Sequence, residues 1–218
     1  MKIFERESIY IIENIFPKNV FCGFTKRDIF DICEFEKKLK LLLSGNKRLR
    51  FVYLNQLHSP HIKYVKREGI YDGDGLFSEE KNLVLVVKTA DCLPLYFYGE
   101  DTIGIIHLGW RSALGGILEN IKNNLEEFSV IAGVGLRSCC YKVGEEFLRY
   151  KRFVNYLIRK EGILYFSPIE FTKEELIKRR LNPDRFFDLK ICSFCNQDFY
   201  SWRREKTQRR IFSFIVQL

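Results

Sequence analysis

The segment LVLVVKTADCLPLYFYGEDTIGIIH, residues 83–107, contains three apolar runs that are separated by polar or turn-forming residues. Short apolar runs bounded in this way are typical of buried strands, so we predict strands at 83–87, 95–98 and 103–107. Pro94 cannot donate to a ladder and ends any continuous pairing between the first two runs. The segment therefore places Cys92 and His107 where predicted strands end.

The rest of the chain continues this pattern, with further strands predicted at 9–15, 20–25, 49–54, 130–134 and 211–216. Helices are predicted at 34–43, 145–159 and 172–181, and another is predicted to start near Ser112. The last carries apolar residues at the spacing of one helix face, namely Leu114, Ile117, Leu118, Ile121 and Leu125. Strands and helices are intermixed without regular alternation, which favours an α/β or α+β fold with helices outside a mixed sheet.

Length and composition are those of a globular chain. The 218 residues are 46% hydrophobic and 29% charged, which predicts one folded domain over residues 1–218. No apolar run approaches the roughly 18 residues of a membrane span, and residues 1–7 lack the apolar core of a secretory signal. We therefore expect a cytoplasmic protein outside the membrane, either a monomer or a homodimer.

The net charge of +8 is compatible with nucleic acid as a partner. However, the basic residues are spread along the chain with acids among them, and no zinc-finger, RNA-recognition or leucine-zipper motif accompanies them. Solvated helix faces account for the charge, so we expect no nucleic-acid partner. A small anionic substrate remains compatible with it.

The residues that point to chemistry are His58, Cys92 and His107, each at the end of a predicted strand. Two imidazoles and a thiolate suit Zn²⁺ and leave a fourth position for water or substrate, as a catalytic zinc requires. Their separation along the chain matches no local metal motif. Two surface or capping histidines and a buried thiol therefore remain the alternative, and His61 has no comparable placement.

Six short strings occur in a fixed order along this sequence, and the resemblance that they carry extends from about residue 20 to the C-terminus. They are Asn55-Gln56-Leu57-His58, Asp74-Gly75-Leu76, Lys88-Thr89-Ala90-Asp91-Cys92-Leu93-Pro94, His107-Leu108-Gly109-Trp110-Arg111, residues 133–144 with Cys139-Cys140, and Phe199-Tyr200-Ser201-Trp202-Arg203-Arg204-Glu205. Together they resemble the signatures of the YfiH-type laccase-domain family of purine nucleoside phosphorylases.

This resemblance implies a four-layer α/β/β/α sandwich with mixed sheets, and a zinc ion held by His58, Cys92 and His107. It implies phosphorolysis of adenosine, inosine and methylthioadenosine, together with adenosine deamination, so that the partners are a purine nucleoside and phosphate. Copper is the less expected metal, although the family was earlier described as a polyphenol oxidase. Editing of peptidoglycan precursors, reported for some members, is a further alternative.

Acid–base and substrate-binding residues can be assigned within these strings. Deamination needs a group that moves protons, and Asp91 or Asp74 is the candidate, although an Asp beside a turn also caps backbone amides. Phosphorolysis needs guanidinium groups for phosphate, and the candidates are Arg111, Arg203 and Arg204. A salt bridge to Glu205 is the alternative for Arg204, and Gln56 is a further candidate for substrate binding.

Several positions depart from the family pattern. The N-terminal Ser-Thr-Arg motif is replaced by Thr25-Lys26-Arg27, so Lys26 or Arg27 takes the place of its arginine as a substrate contact. Ser112, Lys142 and Gln208-Arg209 also differ from the family residues. Substrate range and efficiency are therefore expected to differ, while the proposed metal ligands are intact.

Two other hypotheses remain. In the first, the same residues act differently, and Cys92 is a nucleophile activated by His107 in a cysteine hydrolase or deamidase. In the second, the chain is a basic binding protein without catalysis. Adjacent Cys139 and Cys140 rarely form a disulfide, so one is expected to be packed and the other to line the cavity. Cys192 and Cys195 form a Cys-x-x-Cys motif without a second such pair, for which we expect a structural role.

Overall fold

A computed structural model describes residues 1–43 and 48–218. Its larger sheet contains seven strands in the order β1-β2-β3-β16-β8-β4-β6. Pairing is antiparallel except at β4, which runs parallel to both of its neighbours. The strands are β1 (Lys2–Arg6), β2 (Ile9–Glu13), β3 (Val20–Thr25), β4 (Arg50–Asn55), β6 (Gly69–Asp72), β8 (Leu83–Thr89) and β16 (Ile211–Gln217).

The second sheet contains six strands in the order β15-β11-β9-β10-β7-β5. Its outermost pairs on both sides, β11 with β15 and β5 with β7, are parallel, whereas the inner pairs are antiparallel. The strands are β5 (Ile62–Tyr64), β7 (Gly75–Ser78), β9 (Leu93–Gly99), β10 (Thr102–Leu108), β11 (Ser129–Ala132) and β15 (Phe186–Asp188).

Four layers follow from the three hydrophobic cores. Strand β8 shows why its sequence is a continuous apolar run, because Leu85 and Val87 pack between the two sheets while Val84 and Val86 pack against the outer layer. Helix α1 (Ile32–Leu43) covers the larger sheet through Phe35 and Leu39. Helices α2 (Trp110–Leu114) and α3 (Pro168–Lys178) cover the second sheet. The α/β/β/α sandwich expected from the resemblance is confirmed.

A small third sheet lies beyond these layers, with the antiparallel order β12-β14-β13. It consists of β12 (Lys142–Val143), β13 (Leu157–Lys160) and β14 (Ile163–Phe166), and α4 (Trp202–Glu205) is the last helix. Short 3₁₀ helices occupy Glu145–Arg149, Val154–Tyr156 and Pro183–Arg185. Within the described ranges, no helix is long and apolar enough to cross a membrane.

Two helix predictions were wrong in extent. The helix predicted from Ser112 ends at Leu114, because Gly115 and Gly116 follow and Gly116 has a φ of +88°, which the helix cannot accommodate. Its apolar residues are nevertheless buried, including Ile117 and Leu125. The segment predicted as a helix at 145–159 forms two 3₁₀ helices followed by β13. The chain turns between them because Phe147, Phe153 and Tyr156 all pack into the core of the second sheet.

Two connections between the sheets position the chemistry. Residues 73–74 join β6 of the larger sheet to β7 of the second, and residues 90–92 join β8 to β9 in the same way. His107 lies near the end of β10, where its amide donates to the Asp74 carbonyl oxygen at 2.7 Å. The crossings therefore bring residues from both sheets to one edge of the sandwich.

Candidate metal centre

His58, Cys92 and His107, which together we call the His/Cys centre, converge at this edge. Their ligand atoms all lie within 4.8 Å of one another. Cys92 Sγ is 3.8 Å from His58 Nε2, and the two imidazole rings have centroids 4.9 Å apart. Three residues that are distant in sequence thus present two nitrogens and a sulfur to one point, a donor set that fits Zn²⁺ or copper.

Local backbone geometry supports this convergence. His58 has a φ of 55°, and Asp91, immediately before Cys92, has a φ of 93°. Such values cost a non-glycine residue energy, so the surrounding contacts must hold them in place. Gly109 is required for a different reason, because a Cβ there would lie 2.9 Å from His58 Cδ2 and 3.2 Å from Cys92 Sγ. A side chain at this position would therefore crowd His58 and Cys92.

Asp74 holds two sides of the centre together. Its side chain is fully buried, and its Oδ1 lies 2.8 Å from His107 Nδ1. Its carboxylate also accepts hydrogen bonds from the amides of Leu57, His58 and Ser59. Burial opposes its ionisation, but the bonds from His107 and Ser59 outweigh burial and lower the pKa of Asp74. An ionised carboxylate therefore orients His107 with Nε2 towards Cys92.

Cys92 and His107 change each other's charge in the metal-free protein. Burial raises the pKa of the Cys92 thiol, but the opposing effect of His107 and His58 is larger and brings this pKa down from 9.0 to about 6. Burial lowers the pKa of His107, yet the Cys92 sulfur and Asp74 raise it to about 9. Between these values the pair is a thiolate and an imidazolium, so a deprotonated sulfur is available to a metal at neutral pH.

A cavity of about 940 Å³ opens beside the centre and is lined by all three of its residues. Cations and aromatic side chains form much of its remaining wall: Lys88, Trp110, Arg111, Tyr141, Trp202 and Arg203. The Arg111 guanidinium stacks 4.7 Å from the Trp110 ring centroid and has no hydrogen bond or ion pair with any described residue. The cavity therefore combines a metal-type donor set, free positive charge and aromatic surface.

The predicted site residues divide into two groups. Asp91 and Arg203 line the cavity, but Asp91 Oδ1 accepts from Ser193 Oγ at 2.9 Å and its Oδ2 accepts from the Arg203 amide at 2.7 Å. Arg203 also donates from Nη1 to the Lys142 carbonyl oxygen at 2.7 Å. Gln56 lines the cavity too, but both of its amide atoms bond the Lys88 backbone at 2.7 Å. Gln56 thus fastens β4 to β8.

Three predicted substrate-binding residues are not brought to the cavity. Arg204 donates to the carbonyl oxygens of Ser193 and Phe194, among others, and so closes the loop before α4. Lys26 pairs with Glu5 at 3.3 Å, and Arg27 pairs with Glu205 at 2.9 Å. The contacts of these cations are within the protein, and their role as substrate contacts stays a prediction.

Sequence reasoning missed Lys88, Tyr141 and Trp202 as cavity residues. Lys88 was visible as a charged residue closing an apolar strand and belongs to the same string as Cys92. Tyr141 stands beside the Cys139-Cys140 pair, and its hydroxyl has no hydrogen-bond partner among the described residues. Burial, and then the Cys92 sulfur, raise the pKa of Tyr141, so its hydroxyl remains a proton donor at neutral pH.

A sandwich of two mixed sheets, with two imidazoles and a thiol at one edge that could hold a metal ion, defines the class of this protein. The chain belongs to the family described as multi-copper polyphenol oxidoreductase laccase, whose sequence profile matches residues 31–217. This agrees with the resemblance found in the sequence.

Two named relatives and one solved structure are similar to this chain. The chain is 33% identical over 193 residues to a purine nucleoside phosphorylase of Borreliella burgdorferi, covering 78% of this chain and 83% of the relative. It is 27% identical over 196 residues to purine nucleoside phosphorylase YfiH of Escherichia coli, covering 83% and 79%. The crystal structure of a Bacillus licheniformis hypothetical protein YfiH superposes with a TM-score of 0.86 at 22% identity, covering 98% of each chain, which shows the shared fold.

Proposed function

We propose that this chain is a zinc-dependent purine nucleoside phosphorylase that acts on adenosine, inosine and methylthioadenosine and also deaminates adenosine. The single observation that carries the proposal is the convergence of His58, Cys92 and His107 on a cavity that also holds unpaired positive charge. The names of its relatives support the same reaction class. A metal at this centre would supply Lewis-acid chemistry.

The donor set favours zinc over copper. Two histidines and one cysteine also occur in blue-copper sites, but those sites add a weak axial ligand, most often methionine. The chain has one methionine, Met1, which is exposed at the N-terminus. It also has three histidines, of which only His58 and His107 reach the centre, too few for a multicopper cluster. A three-ligand zinc with one open position is the arrangement that these residues fit best.

Phosphorolysis requires that phosphate and nucleoside be held together. The Arg111 guanidinium can bind two phosphate oxygens at once, and Lys88 adds a second positive charge to the same cavity. Trp110 and Trp202 offer aromatic surface for the purine. When phosphate replaces the base at C1′ of the ribose, the departing purine needs a hydrogen bond or proton at its ring nitrogen. The protonated Tyr141 hydroxyl is our candidate for that donor.

The test incubates the zinc-loaded full chain with each nucleoside, with and without inorganic phosphate. We expect free base and ribose 1-phosphate only when phosphate is present, and inosine from adenosine without it. His107→Ala should lose both reactions. His61→Ala is the matched control, because His61 is exposed and its hydrogen bonds to Ser59, Asp74 and Gly75 use only its backbone. Absence of turnover with all three nucleosides would contradict the proposal.

One observation favours a second candidate function. The metal-free pair of Cys92 thiolate and His107 imidazolium is also the resting state of a cysteine nucleophile. A cysteine hydrolase would keep its activity in a chelator and lose it to iodoacetamide. A zinc enzyme would lose activity in the chelator and regain it with Zn²⁺, because a thiolate that ligates the metal is not free to attack.

A further inference from the structure

A second group of sulfurs lies outside the cavity just described. Cys139 and Cys140 follow β11, and Cys192 and Cys195 follow β15, and the four sulfur atoms all lie within 4.8 Å of one another. Cys195 Sγ is 3.8 Å from Cys139 Sγ and 3.2 Å from Cys140 Sγ. We call these four residues the four-cysteine cluster. All four cysteines are free thiols.

The fold assembles this cluster from two neighbouring segments. Strands β11 and β15 pair in parallel, and their pairing continues past both strands to a bridge between Gly135 and Cys192. The Ser193 amide donates to the Gly135 carbonyl oxygen at 3.1 Å, which keeps the two segments side by side. The Cys139-Cys140 pair is therefore carried to the Cys-x-x-Cys turn by the sheet itself.

The spacing of the sulfurs fits one tetrahedral ion. A Zn–S bond of about 2.3 Å places tetrahedral sulfurs about 3.8 Å apart, which is the distance between Cys139 and Cys195. The Asn196 amide donates to the Cys192 carbonyl oxygen at 3.1 Å, which holds the Cys-x-x-Cys turn closed.

We propose that Cys139, Cys140, Cys192 and Cys195 bind a structural Zn²⁺ ion. Four thiolates fill all four positions of a tetrahedral zinc, so no position remains for substrate, and this distinguishes a structural from a catalytic site. Polynuclear iron–sulfur clusters place their cysteines on different iron atoms, and therefore farther apart than these sulfurs lie. The earlier expectation that one of the adjacent cysteines lines the cavity is replaced by a shared role.

The position of the cluster gives the ion a consequence for the cavity. Ser193, between the two ligands of the Cys-x-x-Cys turn, donates to Asp91, which also accepts the amide of Arg203. Asp91 directly precedes Cys92 in the chain. The Leu136 amide, on the other segment, donates to the Asp91 carbonyl oxygen at 2.8 Å. An ion that joins the two segments would therefore fix the wall that carries Asp91 and Arg203.

The experiment measures metal content in the full chain purified under reducing conditions. We expect Cys92→Ala to retain one equivalent of zinc, held by the four-cysteine cluster, and its cobalt form to show the intense charge-transfer absorption of a tetrathiolate. Adding Cys139→Ser or Cys195→Ser to Cys92→Ala should remove this equivalent. Adding Cys33→Ser, which changes an exposed thiol outside the cluster, should not.

A second measurement keeps the proposal open to refutation if a serine variant folds poorly. Maleimide should label the cluster cysteines of Cys92→Ala only after a chelator is added, and chelation should lower Tm by several degrees, since metal binding contributes to folding. The proposal fails if Cys92→Ala holds no metal after zinc loading. It also fails if intact mass shows a disulfide between Cys140 and Cys195 in the reduced preparation, because that sulfur pair could not then ligate an ion.

Discussion

The His/Cys centre and the four-cysteine cluster are both compact groups of metal-type donors, yet they are built differently. The centre combines nitrogen and sulfur from residues of both large sheets and opens onto a cavity of about 940 Å³. The cluster is all sulfur and joins two adjacent segments that continue one parallel strand pair. Three donors beside a cavity leave room for a reactant, whereas four thiols close their site.

The supporting contacts follow the same division. Around the centre, the buried Asp74 carboxylate orients His107 and caps the loop that carries His58. Around the cluster, backbone hydrogen bonds and the Arg204 guanidinium secure the loop that carries Cys192 and Cys195. A charged side chain and backbone hydrogen bonds therefore support both groups, but at the centre the charge also orients an imidazole. The centre also has Arg111, which bonds no described residue, beside it in the cavity wall.

The largest expected effect comes from removing a ligand of the centre. His107→Ala leaves two donors at the centre, and the Asp74 carboxylate loses its buried partner. The zinc affinity of the centre and the rate of nucleoside turnover should therefore both fall at least about 100-fold. The four-cysteine cluster should keep its metal, which elemental analysis of the same sample checks. If His107→Ala released both equivalents, the two groups would not be independent sites.

Thiol reactivity separates Cys92 from Cys139 in metal-free protein. The thiolate of Cys92 forms as the pH rises through about 6, below the ordinary value of 9.0, because His107 and His58 outweigh the effect of burial. Desolvation instead raises the pKa of Cys139 to about 11. We expect iodoacetamide to alkylate Cys92 with a midpoint near pH 6 and Cys139 only at much higher pH. Peptide mapping by mass spectrometry reads out both residues in one series.

Sample preparation decides whether that comparison is clean. The protein must be stripped of metal before alkylation, since a bound ion would protect both groups. Zinc-loaded protein is the control and should show slow labelling of both cysteines across the same pH range. A Cys92 midpoint near pH 9 in the stripped protein would contradict the thiolate–imidazolium pair.

The two groups also differ in what the sequence revealed. The centre was predictable because His58, Cys92 and His107 each follow or end an apolar strand, and because their strings resemble one family. The cluster was not predicted, since Cys139-Cys140 and the Cys-x-x-Cys motif are each incomplete alone and lie more than 50 residues apart. Only the parallel pairing of β11 with β15, a short strand that sequence periodicity did not reveal, brings them together.

Fold prediction succeeded and failed for similar physical reasons. The buried central strands β8, β9, β10 and β16 are strongly apolar and were found, because both of their faces are covered. The short strands at sheet edges were missed, among them the exposed β1. Ile117 and Ile121 were assigned to one apolar helix face and are buried, although two glycines end the helix before them. Local periodicity thus located the core better than the element boundaries.

An intermediate effect should follow from weakening the support of the centre without removing a ligand. Asp74→Asn keeps the size of the side chain but removes its negative charge. That charge stabilises the His107 imidazolium and strengthens the hydrogen bonds that the carboxylate accepts from the amides of residues 57–59. We expect zinc affinity at the centre to fall roughly 10- to 100-fold, measured by chelator competition. Activity should recover at high zinc concentration, which a direct catalytic role of Asp74 would not allow. The cluster should retain its metal throughout.

The smallest effect tests the cavity, the feature that distinguishes the centre from the cluster. Arg111 lines the cavity with a guanidinium that bonds no described side chain or backbone group, so it is available for an anion. A charge-assisted hydrogen bond contributes about 1.5–3 kcal/mol, so Arg111→Ala should raise the KM for phosphate by roughly 10-fold or more while both metals remain bound.

Arg180→Ala, which removes an exposed arginine paired with Glu126, is the control for lost surface charge. Initial rates at varied phosphate and fixed inosine give the comparison. If both variants leave KM unchanged, the phosphate lies elsewhere in the cavity, and Lys88 is the next residue to substitute because it is a second cation in the cavity wall.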